Sequence, residues 1–233
     1  LPEAVRADVL RRLGERLREE DPSGAFRAWR LAARYGAVEA AEGLAGVALV
    51  HARRLARQGV LDEAVRDLLW AAEQVDDPRL LDQAATYLEE LGRQREALQL
   101  RRQVAQRHPD ELGNLARLVR LVAERGHWAD AARLGARLLA AVARLNPWQR
   151  ADYLDGIGAA AVALVRTGRV EEAGEALDRL HLDERPELRP LRELLELERR
   201  LQASTPPPSE LLARRDGLYR SLGFESPGES GLE

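Results

Sequence analysis

Thirty-six guanidinium groups set the chemistry open to this sequence: every basic residue is Arg, and there is neither Lys nor Cys. Arg presents a planar fork of donors that matches a carboxylate or a phosphate, so binding of anions is within its means. Without Cys there is no thiol nucleophile, thiolate metal site or disulfide, and without Lys no Schiff base or phosphate-loop lysine. The four histidines, His51, His108, His127 and His181, fall in separate segments with no His-x-x-x-His spacing. Zinc needs about three or four converging ligands. "GIGAAA" (156–161) fits a dinucleotide pattern, which acquires meaning only between a strand and a helix. Here "QRADYLD" precedes it and is helical in character, so small residues for helix packing are the expected explanation. No Ser sits in a nucleophile-elbow setting, and most carboxylates alternate with Arg at i, i+3 or i+4, the pattern of a solvated helix face. The expectation is a non-enzyme with no cofactor and no metal.

Charge is unevenly placed. Residues 93–144 hold 11 Arg against 5 acidic residues, net +6, while 171–233 hold 9 against 15, net −6. The basic middle reads as a site for an acidic peptide, or, second to that, for nucleic acid. Weighed against this, and favoured over it, is that the acidic C-terminal section folds over the middle or simply neutralises it. Nucleic acid is disfavoured by the 4% aromatic content, which leaves few stacking platforms, and by the net charge of −3.

Four segments share one grammar. Gly59, Gly92, Gly126 and Gly168 are each followed five residues later by Ala64, Ala97, Ala131 and Ala173, at spacings of 33, 34 and 42 residues. Periods in that range mark helical repeat arrays. Before each glycine, apolar residues recur at i, i+3, i+4 and i+7, as in Leu81, Ala84, Ala85 and Leu88 or Leu115, Leu118, Val119 and Val122. Each glycine is expected to end a first helix in the left-handed conformation, and a second helix to stop near Pro78, Pro109, Pro147 or Pro186. The N-terminus holds a diverged pair, with Leu13–Gly14 in the first helix and Ala25, Trp29 and Ala32 in the second. A long helix follows Gly36, and "PELRPLRELLELERRLQAS" is expected to be a polar-faced cap.

These glycine–alanine pairs, the large apolar residue four on (Trp29, Leu68, Leu177), and the small or apolar one three further (Ala71, Val104, Leu138, Leu180) resemble the tetratricopeptide repeat (TPR) family over roughly residues 3–203. Arg101 and Gly135 stand where that pattern wants a large apolar residue, and a neighbouring α-solenoid class is the alternative. The resemblance implies an all-α fold: an α-solenoid of antiparallel helix pairs in a right-handed superhelix, about five pairs plus a C-terminal capping helix. The domain boundaries expected are 1–203 for the array, 204–209 for a Pro-rich linker, and 210–233 for a short helix and flexible tail.

The resemblance also implies a partner site on the concave face lined by first helices. Its exposed candidates are Arg53, Arg57, Arg79, Asp82, Thr86, Arg120 and Arg166, with a basic patch at Arg93, Arg95, Arg101, Arg102 and Arg117. Some family members clamp a C-terminal carboxylate with Lys and Asn; Leu49, Arg53, Asp82 and Thr86 do not reproduce that clamp. The function expected is a non-enzymatic protein–protein interaction scaffold or adaptor that takes a peptide or protein segment in the groove. The alternative is a regulatory or sensor domain that controls an effector, with the basic repeats contacting nucleic acid. Self-association through apolar end surfaces is a further option. The all-Arg bias, with Ile157 the sole Ile, reads as codon usage in a GC-rich bacterial genome, and the absence of Met as loss of the initiator. No apolar run approaches the roughly 18 residues of a membrane span, so a cytoplasmic location is expected.

Overall fold

A computed structural model of the 233-residue chain describes residues 2–36, 41–181, 185–204 and 207–227. The expectations for the linker at 205–206 and the tail at 228–233 lie outside the described residues, as does the start of the helix after Gly36. Among the described residues every regular element is a helix, and the helices gather into two compact units, Leu1–His108 and Pro109–Glu233.

The first unit contains three helix pairs: α1 (Glu3–Leu17) with α2 (Pro22–Arg34), α3 (Ala41–Arg57) with α4 (Leu61–Gln74), and α5 (Pro78–Glu90) with α6 (Gln94–Arg107). Ala25, Ala64 and Ala97 are fully buried, as are Leu68 and Ala71, and Trp29 nearly so. Small side chains at these positions let paired helices approach, and Trp29 and Leu68 fill the space between pairs. Gly14 gives Trp29 its place: a Cβ on Gly14 would lie 2.5 Å from the Trp29 ring. One pair alone leaves a face of each helix in water, so stacking of pairs supplies the burial that holds them.

The second unit pairs α7 (Leu112–Ala123) with α8 (Trp128–Val142) and α10 (Leu154–Arg166) with α11 (Val170–Leu180), then α12 (Arg189–Gln202) with α13 (Ser209–Ser221). The expected cap, α12, buries Leu191, Leu194, Leu195 and Leu201, and α13 packs against it. The long 42-residue spacing has a physical cause in α9 (Pro147–Arg150) and the 3₁₀ turn Ala151–Tyr153, inserted before α10. Arg150 fastens this corner: its buried guanidinium donates to the carbonyls of Leu145 (3.0 Å), Ala143 (3.0 Å) and Leu180 (2.7 Å). Gly135 departs from the repeat pattern because α8 meets α10 there. An added Cβ would sit 2.6 Å from the Ala160 Cβ and 2.9 Å from its Cα. Gly156 does the same against Ala116 on α7, at 2.5 Å and 2.8 Å. The "GIGAAA" stretch lies inside α10 as close-packing surface, with Ala159, Ala160 and Ala161 buried.

The turns explain the glycines. At Gly59 (φ +77°) the Gly N–H donates to Ala56 O and the Val60 N–H to Leu55 O, at 2.9 and 3.0 Å. This is the doubly bonded left-handed cap that satisfies the last carbonyls of α3. The same bond pair recurs at Gly92, Gly126 and Gly168, and again after α13 at Gly223. The prolines act one step later than the sequence suggests. Pro78 and Pro147 occupy the first turn of the next helix, where a missing N–H costs nothing, and so start helices as much as stop them. His181 closes α11 at φ +48°, the one non-glycine at positive φ among the described residues. His181→Gly is expected to raise stability by up to about 1 kcal/mol, read as a higher urea midpoint with unchanged slope. An unchanged or lower midpoint refutes it.

A basic cleft on the third helix

The last two turns of α3 place Val50, Arg53, Arg54 and Arg57 at i, i+3, i+4 and i+7, one face of one helix. With Glu19 and Glu20 from the turn between α1 and α2, and Pro22 at the start of α2, they line an open cleft of about 490 Å³. Val50 and Pro22 give it an apolar floor, and Arg54 approaches Asp21 at 3.7 Å. Arg53 and Arg57 are exposed and, among the described residues, make no hydrogen bond or ion pair. Both lie near Tyr87 of α5, which is 5% exposed. Burial, and then Glu90, push the Tyr87 hydroxyl above its ordinary range, while Arg53 and Arg57 pull it the other way. The phenol is therefore neutral at physiological pH, and the positive charge of the two arginines is available to a ligand. Clustered at the C-terminal end of α3, the arginines also complement the negative end of the helix dipole.

The other residues singled out on the concave face are committed elsewhere. Arg79 is held by Asp77, the N-cap of α5, through Nε at 2.9 and 3.1 Å, and this pairing first of all lowers the Asp77 carboxyl. Arg120 spans Glu124 at 2.8 Å and Asp155 at 3.1 Å, contacts that raise it further above its already high range. Arg166 stacks 4.5 Å over the Trp128 ring and 5.4 Å from that of Tyr219, and its burial favours the neutral form.

Asp82, Thr86 and Arg101 require a correction: they are a half-buried bond network rather than exposed ligand contacts. Arg101 has no solvent exposure. Its Nη1 reaches Asp82 at 2.6 Å, its Nε reaches Glu89 at 2.6 Å, and its Nη2 donates to Thr86 Oγ1 at 3.2 Å. Arg101 takes the space of the expected large apolar residue, its aliphatic stem buried and its charge delivered to two carboxylates. Of the basic patch, Arg101 is thereby withdrawn from solvent. Arg93 pairs with Glu96 and Asp62 at 2.7 and 3.0 Å, Arg95 and Arg102 stay exposed on α6, and Arg117 is exposed on α7 in the other unit.

Sequence reasoning missed Arg54, Val50, Glu19 and Glu20 as lining residues, and Glu89 as the second partner of Arg101. The helical spacing from Val50 to Arg57 is the signal that finds the first two. Of the histidines, His108 caps the end of α6 and His127 the start of α8, in keeping with turn positions. His51 instead is buried in α3, 3.0 Å from Asp67 and stacked on Phe26. Among the described residues no group of three or more His, Asp or Glu is arranged to hold a metal, and no helix is long and apolar enough to cross a membrane.

No protein-family profile matches the sequence, and no curated protein does. Solved structures do. YrrB, described as a TPR protein with an unusual peptide-binding site, is 16% identical, with a TM-score of 0.52 over 77% of this chain and 87% of its own. A double mutant of MamA RS-1 is 20% identical, with a TM-score of 0.54 over 76% and 95%. A further MamA structure is 13% identical, with a TM-score of 0.51 over 78% and 93%. The chain has the TPR-like helical-repeat fold, all-α and built from repeated helix pairs.

Proposed function

We propose that this chain is a non-enzymatic protein–protein interaction scaffold or adaptor, and that its α3 cleft receives an acidic peptide segment of the partner. The observation that carries this reading is the pair Arg53 and Arg57, exposed and without an ion pair among the described residues, on the wall of an open cleft. A TPR-like fold supports it, as does the peptide-binding site attributed to YrrB. The spacing narrows the ligand. Side chains four apart on a helix have Cβ atoms roughly 5–6 Å apart. On an extended chain, alternate residues share a side at about 6.6–6.8 Å. A segment with Glu or Asp at alternate positions thus meets both guanidiniums at once, while Val50 and Pro22 take an apolar residue beside them.

The test is fluorescence anisotropy with a labelled extended peptide carrying alternate Glu residues, and with its Gln counterpart. Arg53→Ala/Arg57→Ala is expected to weaken binding of the Glu peptide at least about tenfold, and the Gln peptide to bind the unaltered chain as weakly as the Glu peptide binds the variant. Equal binding of Glu and Gln peptides overturns the acidic-ligand reading. So does tighter binding of a single-stranded oligonucleotide with a steep salt slope, which favours the regulatory alternative.

A further inference from the structure

Arg57 has a counterpart in the second unit. It stands two residues before Gly59, and Arg166 stands two residues before Gly168, at the end of α10. Arg57 faces an open cleft, whereas Arg166 is covered by the chain's own C-terminal segment. Its guanidinium lies between two rings, Trp128 at 4.5 Å and Tyr219 at 5.4 Å, and its Nη1 donates to the Glu225 carbonyl at 3.1 Å. The turn at Gly223 (φ +82°), closed by the Phe224 N–H on Tyr219 O, brings Phe224 back so that its ring meets Trp128 edge-on at 5.8 Å. Tyr219 and Ser226 are almost fully buried, and the Tyr219 hydroxyl donates to Glu198 at 3.3 Å.

The rest of the covering segment is thin. In α13 only Tyr219 is buried; Leu211, Leu212 and Leu218 are half-covered, and Glu210, Arg214, Gly217 and Arg220 face solvent. A helix integral to the core buries a continuous apolar stripe, as α12 does with five residues. α13 itself lies on α12, with an Arg214–Glu193 ion pair, while the turn beyond it meets the Trp128–Arg166 surface through an aromatic ring on Trp128, a phenol at the guanidinium, and one main-chain carbonyl. Those are the contacts of a bound peptide, an aromatic anchor plus a backbone bond to Arg, made here by a tethered segment.

We infer that the Trp128–Arg166 surface is a second ligand site, taking a segment with an aromatic residue followed by an acidic or other polar residue, and that residues 219–226 are its displaceable internal occupant. It differs in chemistry from the α3 cleft, which is proposed to take alternate carboxylates and whose lining, among the described residues, includes no aromatic ring. Tethering gives the internal segment an effective concentration on the order of millimolar, so an incoming segment competes at a disadvantage until the strap is loosened.

The test uses the full chain and a labelled peptide of the sequence GLYRSLGFESP (217–227) supplied in trans. Phe224→Ala removes the ring from Trp128 without altering the surface it covers. Gly223→Ala loosens the same strap by a different route, since an alanine is strained at that positive φ. Both variants are expected to bind the peptide about tenfold or more tightly than the unaltered chain. Trp128→Ala added to Phe224→Ala, or Phe→Ala in the peptide, is expected to abolish the gain. Unchanged affinity in both strap variants, or a gain that survives Trp128→Ala, overturns the inference. Binding of the alternate-Glu peptide is expected to be the same in all these variants, so failure here is distinguishable from failure of the cleft reading.

Discussion

Asp82→Ala/Glu89→Ala is expected to destabilise the first unit by about 3–5 kcal/mol, more than removal of the arginine both carboxylates hold. The ordering follows from exposure. Arg101 has a side-chain exposure of 0%, whereas Asp82 and Glu89 keep 27% and 29%. Stripping both carboxylates leaves the charge of a buried guanidinium uncompensated, and as Arg it does not lose its proton to escape the penalty. Removing the arginine leaves carboxylates that can turn to solvent. Arg101→Ala still costs about 2–5 kcal/mol, because it empties a volume in a packed interior. Arg101→Met restores most of that volume, so its cost is expected to be well below that of Arg101→Ala, about 1–2 kcal/mol. Urea unfolding followed by circular dichroism reads all three. If Arg101→Met proves as damaging as Asp82→Ala/Glu89→Ala, the charge itself stabilises the unit and the space-filling account fails.

Arg101 also marks the boundary of what sequence can show. The turns are legible because they rest on local rules: a glycine at positive φ, a small residue five on, a proline at the next first turn. Such rules need only neighbours in the chain. In "LQLRRQV" one Arg is buried and the next is exposed; the repeat register puts Arg101 on the core face with Ala97 and Val104, but nothing local shows what a charge there would pair with. The decision is made by carboxylates 12 and 19 residues away on α5. Asp82 and Thr86 share one face of α5, and that face is turned to the buried guanidinium, so a shared face did not give freedom to bind. The open cleft was half legible. Arg53 and Arg57 follow from helical spacing, while Glu19, Glu20 and Pro22 come from a turn and the helix start after it, some thirty residues earlier, whose approach no pattern encodes. Of the strap only a short helix was legible, since its contacts depend on a ring at Phe224 meeting a ring at Trp128, which no local pattern encodes.

These distinctions bear on how the two arginine positions diverge. The position two residues before the capping glycine is Arg57 and Arg166 in two repeats and Glu90 and Glu124 in the other two, and where it is Arg, what surrounds it decides its use. Exposed charge beside Val50 and Pro22 leaves Arg57 ready for a carboxylate. Between two rings and desolvated, Arg166 offers its faces to aromatic groups and its edge to a carbonyl. One repeat position thus yields two chemistries.

Close packing makes the reverse point, that a departure from the repeat pattern can be obligatory. Gly135→Leu, which would restore the large apolar residue the pattern calls for, is expected to disrupt the second unit, and even Gly135→Ala is expected to destabilise it by about 1–3 kcal/mol. Helix propensity alone argues the opposite sign, since Ala is favoured over Gly by roughly 1 kcal/mol inside a helix. The geometry decides between them: the new Cβ would lie 2.9 Å from the Ala160 Cα, and backbone cannot move aside as a flexible side chain can. Gly158 supplies the control. It lies in α10, the helix Gly135 packs on, with nothing within 4 Å of an added Cβ, so Gly158→Ala is expected to show the propensity gain of up to about 1 kcal/mol. Ala160→Gly combined with Gly135→Ala removes the nearer of the two clashes, at 2.6 Å, and is expected to recover part of the loss. Thermal unfolding of the three variants checks the signs. Should Gly135→Ala and Gly158→Ala shift the midpoint in the same direction, the approach of α8 to α10 is looser than these distances require, and small residues there serve propensity rather than contact.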